Sequence, residues 1–349
     1  MKKQKLKCFT CKVIKLRHFL HDLRHRTEYC FALVIIFFLR SLPRKCVQQF
    51  ARFAGGLIWL IPSTRAIVLG NLQTVFPEMP ESERKKIGKK SVFHSVYNVL
   101  EFFWIGGDPD RTRLCYGMPD DLIAQIKAHS DRNERLIFVN PHLGSWEASG
   151  TIAPFFGRVR MAAIAKPVKN PYLNRLLNAR NREKVEGLEV IFSKGAVRAA
   201  LSALRRGCSI GILIDQNTRV RDGGEFVDFF GVPVPCSTAP VTLKRYCDAH
   251  GIPVVIAFGS CPRLEDGRCV AHMEYLSKPF NEYADDREII MELMQKSEAD
   301  IRKYPDQYLW FYKRFQYIYP DAPEEVKKRY PDYAVIPGAH FFSKTAKGK

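Results

Sequence analysis

Apolar positions in this chain gather into short unbroken runs, and two of those runs end abruptly in polar residues. Residues 136–139 (LIFV) and 209–214 (SIGILI) have the continuous apolar character of strands buried on both faces. Asn140-Pro141 breaks the first run, and Asp215-Gln216-Asn217 closes the second. Around them strand and helix patterns alternate. Residues 160–165, 188–192, 253–258 and 268–275 read as strands, the last at an edge, and residues 172–183, 196–206, 238–250 and 286–303 read as helices. This alternation predicts an α/β fold, a mixed sheet flanked by helices. In open α/β sheets ligands bind beyond the carboxyl ends of the strands, so the two polar strand ends mark one rim as the place for a site.

The first hundred residues follow a different pattern. Residues 1–28 carry nine Lys and Arg against Asp22 and Glu28, and the apolar run 29–39 (YCFALVIIFFL) follows. Eleven helical residues reach only about 17 Å, short of a hydrocarbon core of about 30 Å, so the run suits a helix embedded in the inner leaflet, with a buried core helix as the alternative. No small-residue cleavage site follows it, and Arg40, Arg44 and Lys45 keep its far flank positive. Residues 48–61 continue apolar up to Pro62, giving a helical hairpin with Pro43 near the bend. Residues 68–83 read as a turn-rich connection ending in a helix start at Pro80. Residues 85–105 then carry apolar side chains at helical spacing, with His94 a structural histidine on that helix.

Charge narrows the partners. Lys and Arg exceed Asp and Glu by 19, which favours anionic partners: acidic lipid headgroups, an acidic carrier protein or nucleic acid. No nucleic-acid module is recognisable, and none is expected as a partner. The ten cysteines are scattered, and Cys8 and Cys11 form a lone CxxC without a second pair or a histidine cluster, so reduced thiols are expected and no metal.

Candidate chemistry sits after the first buried run, in NPHLGSWE at residues 140–147. His142 follows the strand, Ser145 can cap a helix beginning at Trp146, and Glu147 falls in its first turn. On one continuous helix a spacing of five would separate the two side chains by about 140°, whereas a turn at Leu143-Gly144 can fold His142 back toward Glu147. A neutral imidazole held in one tautomer by a carboxylate suits a general base near neutral pH. No cysteine lies beside this corner, so a covalent cysteine mechanism is not expected.

Six stretches, in order, resemble the bacterial lipid A biosynthesis acyltransferase family. They are VLGNLQTVFPEMPESE (68–83), NPHLGSWE (140–147), KPVKNPYLNRLL (166–177), IDQN (214–217), FFGVPV (229–234) and YPDQYLWFYKRF (304–315). The resemblance covers roughly residues 25 to 320. It implies a glycerol-phosphate-acyltransferase-like α/β fold with an N-terminal membrane-associated helical extension, divided into a basic arm and helices (1–65), a catalytic domain (66–320) and a peripheral tail (321–349). It further implies transfer of a fatty acyl chain from acyl carrier protein to a hydroxyl of an anionic glycolipid, a lipid A precursor, on the cytoplasmic face of the inner membrane in lipopolysaccharide biosynthesis. No cofactor is called for. His142 and Glu147 fall at the positions of the family's His/acid dyad.

Substrate-binding candidates are Lys166, Arg182, Asp215 and Gln216. Family members commonly carry Arg where this chain has Lys166, a change that keeps the charge but loses the bidentate fork. Arg182 is the best match to the family's second Arg, with Arg180 also open. Asp215 and Gln216 end a buried strand at the active rim. Phe229, Phe230 and the aromatics of 308–312 are candidates for an acyl channel or for core packing. Two other readings of the whole remain open: acylation of a different lysolipid, glycolipid or aminolipid, and a non-catalytic membrane-surface protein.

Overall fold

The computed structural model describes residues 2–180, 182–192 and 195–343. Four helices open the chain: α1 (Lys2–Ser41), α2 (Arg44–Leu60), α3 (Pro62–Val75) and α4 (Glu81–Ile105). Then come α5 (Pro109–Cys115), β1 (Tyr116–Gly117), α6 (Asp120–Asp131), β2 (Arg135–Asn140), α7 (Trp146–Gly157), β3 (Met161–Ala165), α8 (Pro171–Arg180) and, after a 3₁₀ turn, β4 (Leu188–Phe192). The second half runs α9 (Ala196–Arg205), β5 (Ser209–Leu213), β6 (Gly224–Phe229), β7 (Val232–Ser237), α10 (Ala239–Ala249), β8 (Val254–Ser260), β9 (Cys269–Val270), β10 (His272–Tyr275), α11 (Asp286–Lys303) and α12 (Glu324–Lys327).

Six strands form the main sheet in the order β10-β8-β2-β5-β3-β4, parallel throughout except for β10, which runs antiparallel at one edge. The expected mixed sheet flanked by helices is therefore present. Its central strands are buried on both faces, and the period of two sorts them. Leu136 and Phe138 of β2 pack with Leu122 and Ile126 of α6 and Ala153 of α7. Ile137 and Val139 face a larger core with Ala200 and Leu204 of α9, Val241 and Leu243 of α10 and Ile290 and Leu293 of α11.

Three elements depart from the sequence reading. Residues 68–75 belong to helix α3, not to a turn-rich connection, because the polar residues that suggested turns are satisfied by distant backbone. Asn71 donates to the carbonyls of Trp310 and Tyr312, and the Thr74 hydroxyl donates to that of Arg329. The motif at 229–234 turns out to be a tight hairpin, β6-β7, whose two turn residues, Phe230 and Gly231, both have positive φ (54° and 71°) as a two-residue turn requires. The stretch expected as one edge strand, 268–275, is split, β9 pairing with β1 and β10 with β8.

Helix α2 lies along α4, and α1 packs on α4 and α8. Gly55 permits the first contact: a Cβ there would sit 3.0 Å from the Cα of Phe93. The outer sides of these helices stay apolar and bare, with Phe31, Phe37 and Phe38 of α1 and Phe50, Phe53, Leu57 and Leu60 of α2 all exposed. Among the described residues no single helix is long and apolar enough to cross a membrane. The pair α2 and α3, bent by 90° at Ile61, reaches the length and composition only together. The side chains of Cys8 and Cys11 lie outside the described residues.

Candidate active site

β2 and β5 are neighbouring parallel strands whose last paired residues are Asn140 and Leu213. Two residues beyond each lie His142 and Asp215, so the register itself brings the imidazole to the carboxylate. Asp215 Oδ1 is 2.6 Å from His142 Nδ1, and its other oxygen accepts the His142 backbone N–H at 2.8 Å. Both residues are buried. A carboxylate is an acceptor only, so Nδ1 carries the proton and Nε2 presents its lone pair. The Gln216 side-chain amide nitrogen stands 3.1 Å from Nε2 and donates to it. Burial alone would raise the Asp215 carboxyl, but the imidazole, the two hydrogen bonds from His142 and the nearby Arg314 guanidinium outweigh it and hold the group below its ordinary 3.8.

The partner of His142 is thus Asp215 and not Glu147, as the local spacing had suggested. The reason is steric and electrostatic. Gly144, at φ +58°, takes a turn in which a Cβ would meet the Cys261 carbonyl oxygen at 2.1 Å, and it delivers the chain into α7 with Glu147 facing another charge. Arg182 lies in the 3₁₀ turn after α8, and its Nη2 contacts both Glu147 oxygens at 2.8 Å. Asn178 accepts from Arg182 Nη1 at 3.1 Å and orients the fork. Among the described residues no hydrogen bond joins His142 to Glu147. Ser145 occupies the N-cap position of α7, but its hydroxyl makes no capping bond.

The turn carrying His142 is pinned from behind. Its carbonyl accepts from Leu309 N–H, Gly144 N–H donates to the Gln307 carbonyl, and Ser145 N–H donates to the Cys261 carbonyl. Asn98 of α4 donates to the Gly144 carbonyl. Asn98 is itself held by Arg263 (2.9 Å), which pairs with Glu101 at 2.6 Å, and Glu101 also receives Arg44 at 3.0 Å from the start of α2. Arg263 stacks on Tyr97, with its guanidinium 4.4 Å from the ring centroid. Sequence reading missed this group, because contacts across 162 residues leave no local spacing to find. It also assigned no role to Arg314, which is buried and donates to Asn217 at 2.9 Å, beside Asp215.

Of the other expected residues, Lys166 is exposed on the loop after β3 and makes no hydrogen bond or ion pair among the described residues. A neighbouring cation, Lys169, is also exposed on this loop, and the Arg180 side chain lies outside the described residues. Phe229 and Trp310 are fully buried, as core rather than channel lining, with Phe229 stacked on Phe315. His94 is largely buried on α4, as a structural histidine would be.

Comparison with known proteins supplies the family. The profile of the family described as bacterial lipid A biosynthesis acyltransferase matches residues 16–317. The lipid A biosynthesis myristoyltransferase of Escherichia coli (strain K12) is 24% identical over 289 residues, covering 81% of this chain and 84% of that protein. The lauroyltransferase of the same organism is 25% identical over 305 residues, covering 85% and 92%, and its palmitoleoyltransferase 23% identical over 263 residues, covering 72% and 78%. With a profile match across most of its length and an imidazole–carboxylate couple at the rim of an α/β sheet, this chain belongs to the bacterial lipid A biosynthesis acyltransferase family and is an acyltransferase.

Proposed function

We propose that the protein transfers a fatty acyl chain from an acyl carrier protein thioester to a hydroxyl of a lipid A precursor at the cytoplasmic face of the inner membrane. The observation that carries this reading is the Asp215–His142 couple, which leaves Nε2 as a proton acceptor at the sheet rim. A thioester is already an activated acyl donor, so the enzyme has to deprotonate the acceptor hydroxyl, place it and stabilise the oxyanion. The incoming hydroxyl takes the place of Gln216 on Nε2 and gives it a proton. Its oxygen attacks the thioester carbonyl, the C–S bond breaks, and the imidazolium returns the proton to the departing thiolate. Arg182 and Lys166 supply positive charge for the oxyanion or for phosphate groups of the acceptor, and Glu147 fixes the Arg182 fork.

A net charge of +19 suits both an acidic carrier protein and an anionic glycolipid, and the bare apolar faces of α1 and α2 suit a membrane surface. We place the N-terminal helices at the leaflet and the catalytic domain over the acceptor; the segment after residue 320, expected to be peripheral, instead packs on the domain, with Tyr330 and Phe341 buried and Arg329 holding the β6–β7 turn. The test is direct: the detergent-purified protein is incubated with acyl carrier protein thioester and lipid A precursor, and products are read by mass spectrometry. The expected result is an added acyl chain that is absent with His142→Ala. Acylation of a lysophospholipid or aminolipid in preference to the lipid A precursor would overturn the acceptor assignment.

A further inference from the structure

A cavity of about 1270 Å³ lies between α2, α4 and the loop before β9. None of His142, Glu147, Lys166, Arg182, Asp215 and Gln216 lines it. Its cations are Arg52 of α2, Lys86, Lys89 and Lys90 of α4, and Arg263 at its floor. Arg263 is neutralised by Glu101, and Lys90 faces Asp306 at 3.5 Å. Arg52, Lys86 and Lys89 have no ion-pair partner among the described residues; Arg52 only stacks on Phe93, 5.6 Å from the ring centroid. On the acidic side, Asp266 is engaged by Arg268 at 2.7 Å and Asp306 by Lys90, which leaves Glu265 alone against three unpaired cations.

The cavity is amphiphilic and stands at the bare face of α2. Phe50, Phe53 and Leu57 follow one another at helical spacing with their side chains exposed, while Arg52 and Gly56 face the cavity. Gly56 borders open space, where a Cβ would meet nothing within 4 Å, so a larger side chain there would project into the mouth without displacing the fold. Cations at an open concave mouth, beside an apolar stripe that continues outward, match a ligand with an anionic head and apolar chains.

We propose that this cavity binds the phosphate headgroup of an anionic phospholipid from the leaflet, with Arg52, Lys86 and Lys89 as its cations, at a site separate from the catalytic one. The inference rests on the reading that the protein works at a membrane.

The test uses the full-length protein, freed of detergent and floated with vesicles of phosphatidylcholine alone or with phosphatidylglycerol. Wild type should float with the anionic vesicles in preference to the neutral ones. The triple change Arg52→Gln, Lys86→Gln, Lys89→Gln should weaken that preference by roughly 100-fold at about 0.1 M salt, on about a fivefold loss for each cation near an anionic surface. Gly56→Leu, which leaves charge unaltered and fills the mouth, should also abolish the preference. A control change of equal charge at exposed cations outside the cavity, Lys127→Gln, Arg287→Gln, Lys328→Gln, should weaken it by about threefold or less, because charges beyond a Debye length from the leaflet are screened. Turnover on detergent-dispersed substrate should stay at the wild-type level in every variant. Unchanged flotation of the triple variant and of Gly56→Leu overturns the site while leaving the membrane reading intact. Wild type that floats with neither vesicle overturns both. Millimolar inorganic phosphate that removes the preference at constant ionic strength reassigns the site to free phosphate, and a raised KM for the carrier thioester with unchanged flotation reassigns it to carrier docking.

Discussion

The turn that carries His142 has two sides built on opposite principles. Behind it, Asn98, Glu101, Arg263 and Gln307 are buried, and they hold one another and the turn through charged and backbone hydrogen bonds. In front, Glu147 and Arg182 form a partly exposed pair, Gln216 rests on the reactive nitrogen, and Lys166 stands free in solvent. On the proposed function, the rear fixes the position of the base before any substrate arrives. The front is made of partly exposed groups, which on the proposed function are the ones a lipid acceptor would meet. The difference predicts that changes behind the turn show first in stability and changes in front show first in kinetics.

The largest effect belongs to the couple itself. His142→Ala should lower turnover by about 10² to 10⁴ and, by leaving the buried Asp215 carboxylate without its imidazole, should lower the melting temperature as well, and Asp215→Asn should approach the same loss of turnover because Nδ1 no longer has a carboxylate to fix the tautomer. Thermal unfolding and steady-state rates read both quantities. Asp215→Asn with near-normal turnover would restore Glu147 as the orienting group.

Next comes the rear. Arg263→Ala leaves Glu101, side chain 1% exposed, with only Arg44, and removing one member of a buried pair costs about 3–5 kcal/mol. Chemical denaturation should show that loss, whereas Arg263→Lys should recover part of the stability but not the two-pronged hold on Asn98 and Glu101. An Arg263→Ala protein of normal stability would dismiss the rear scaffold.

The rear should also be sensitive to acid through His94. Burial is the main cause that lowers this imidazole from 6.5 to about 4, with Asp306 opposing and Arg263, Lys90 and Arg52 assisting. A depressed value means that the unfolded chain takes the proton first. The stabilisation from a neutral His94 is therefore complete above pH 6.5 and is lost as pH falls from there to about 4. It amounts to no more than about 3 kcal/mol. His94→Gln should flatten the pH dependence of stability in that window, and an unaltered slope would show that His94 titrates normally.

What the sequence could show follows from the range of the interactions. Strands β2 and β5 were legible because burial on both faces leaves unbroken apolar runs, and their polar ends marked the rim correctly. His142 was legible for the same reason. Its pairing with Asp215 depends on two strands being neighbours in register, which brings together residues 73 apart in the chain, and the equal offset of two residues past the last paired positions becomes visible only once that register is known. Helix α3 was misread because Asn71 and Thr74 favour turns locally, a preference overridden by carbonyls more than 200 residues away. The Glu101–Arg263 pair had no local trace at all.

In front of the turn, Glu147→Gln should reduce kcat/KM by about 10- to 100-fold, the worth of a charge-assisted bidentate contact, and Arg182→Lys should do the same by losing the fork. If Glu147 acts through Arg182, combining Glu147→Gln with Arg182→Gln should add little to either alone, while Glu147→Gln and Asp215→Asn should combine almost multiplicatively. The opposite pattern would tie Glu147 to the imidazole.

The smallest effect is expected at Lys166, and it tests how far the front extends. The side chain is exposed and holds no partner among the described residues, so removing it uncovers no buried charge and should leave stability untouched. An exposed cation that meets an anionic group only in the complex contributes about 0.2–1 kcal/mol, equivalent to at most about a fivefold change. Lys166→Ala should therefore raise KM for the donor or the acceptor by up to about fivefold with kcat preserved, and added salt should shrink the difference. Lys166→Arg keeps the charge and adds a planar fork, so it should match wild type or bind more tightly. A KM defect confined to the carrier thioester would place Lys166 at the donor, and one confined to the glycolipid would place it at the acceptor phosphates. With no change in either KM, the front of the site would end at Arg182.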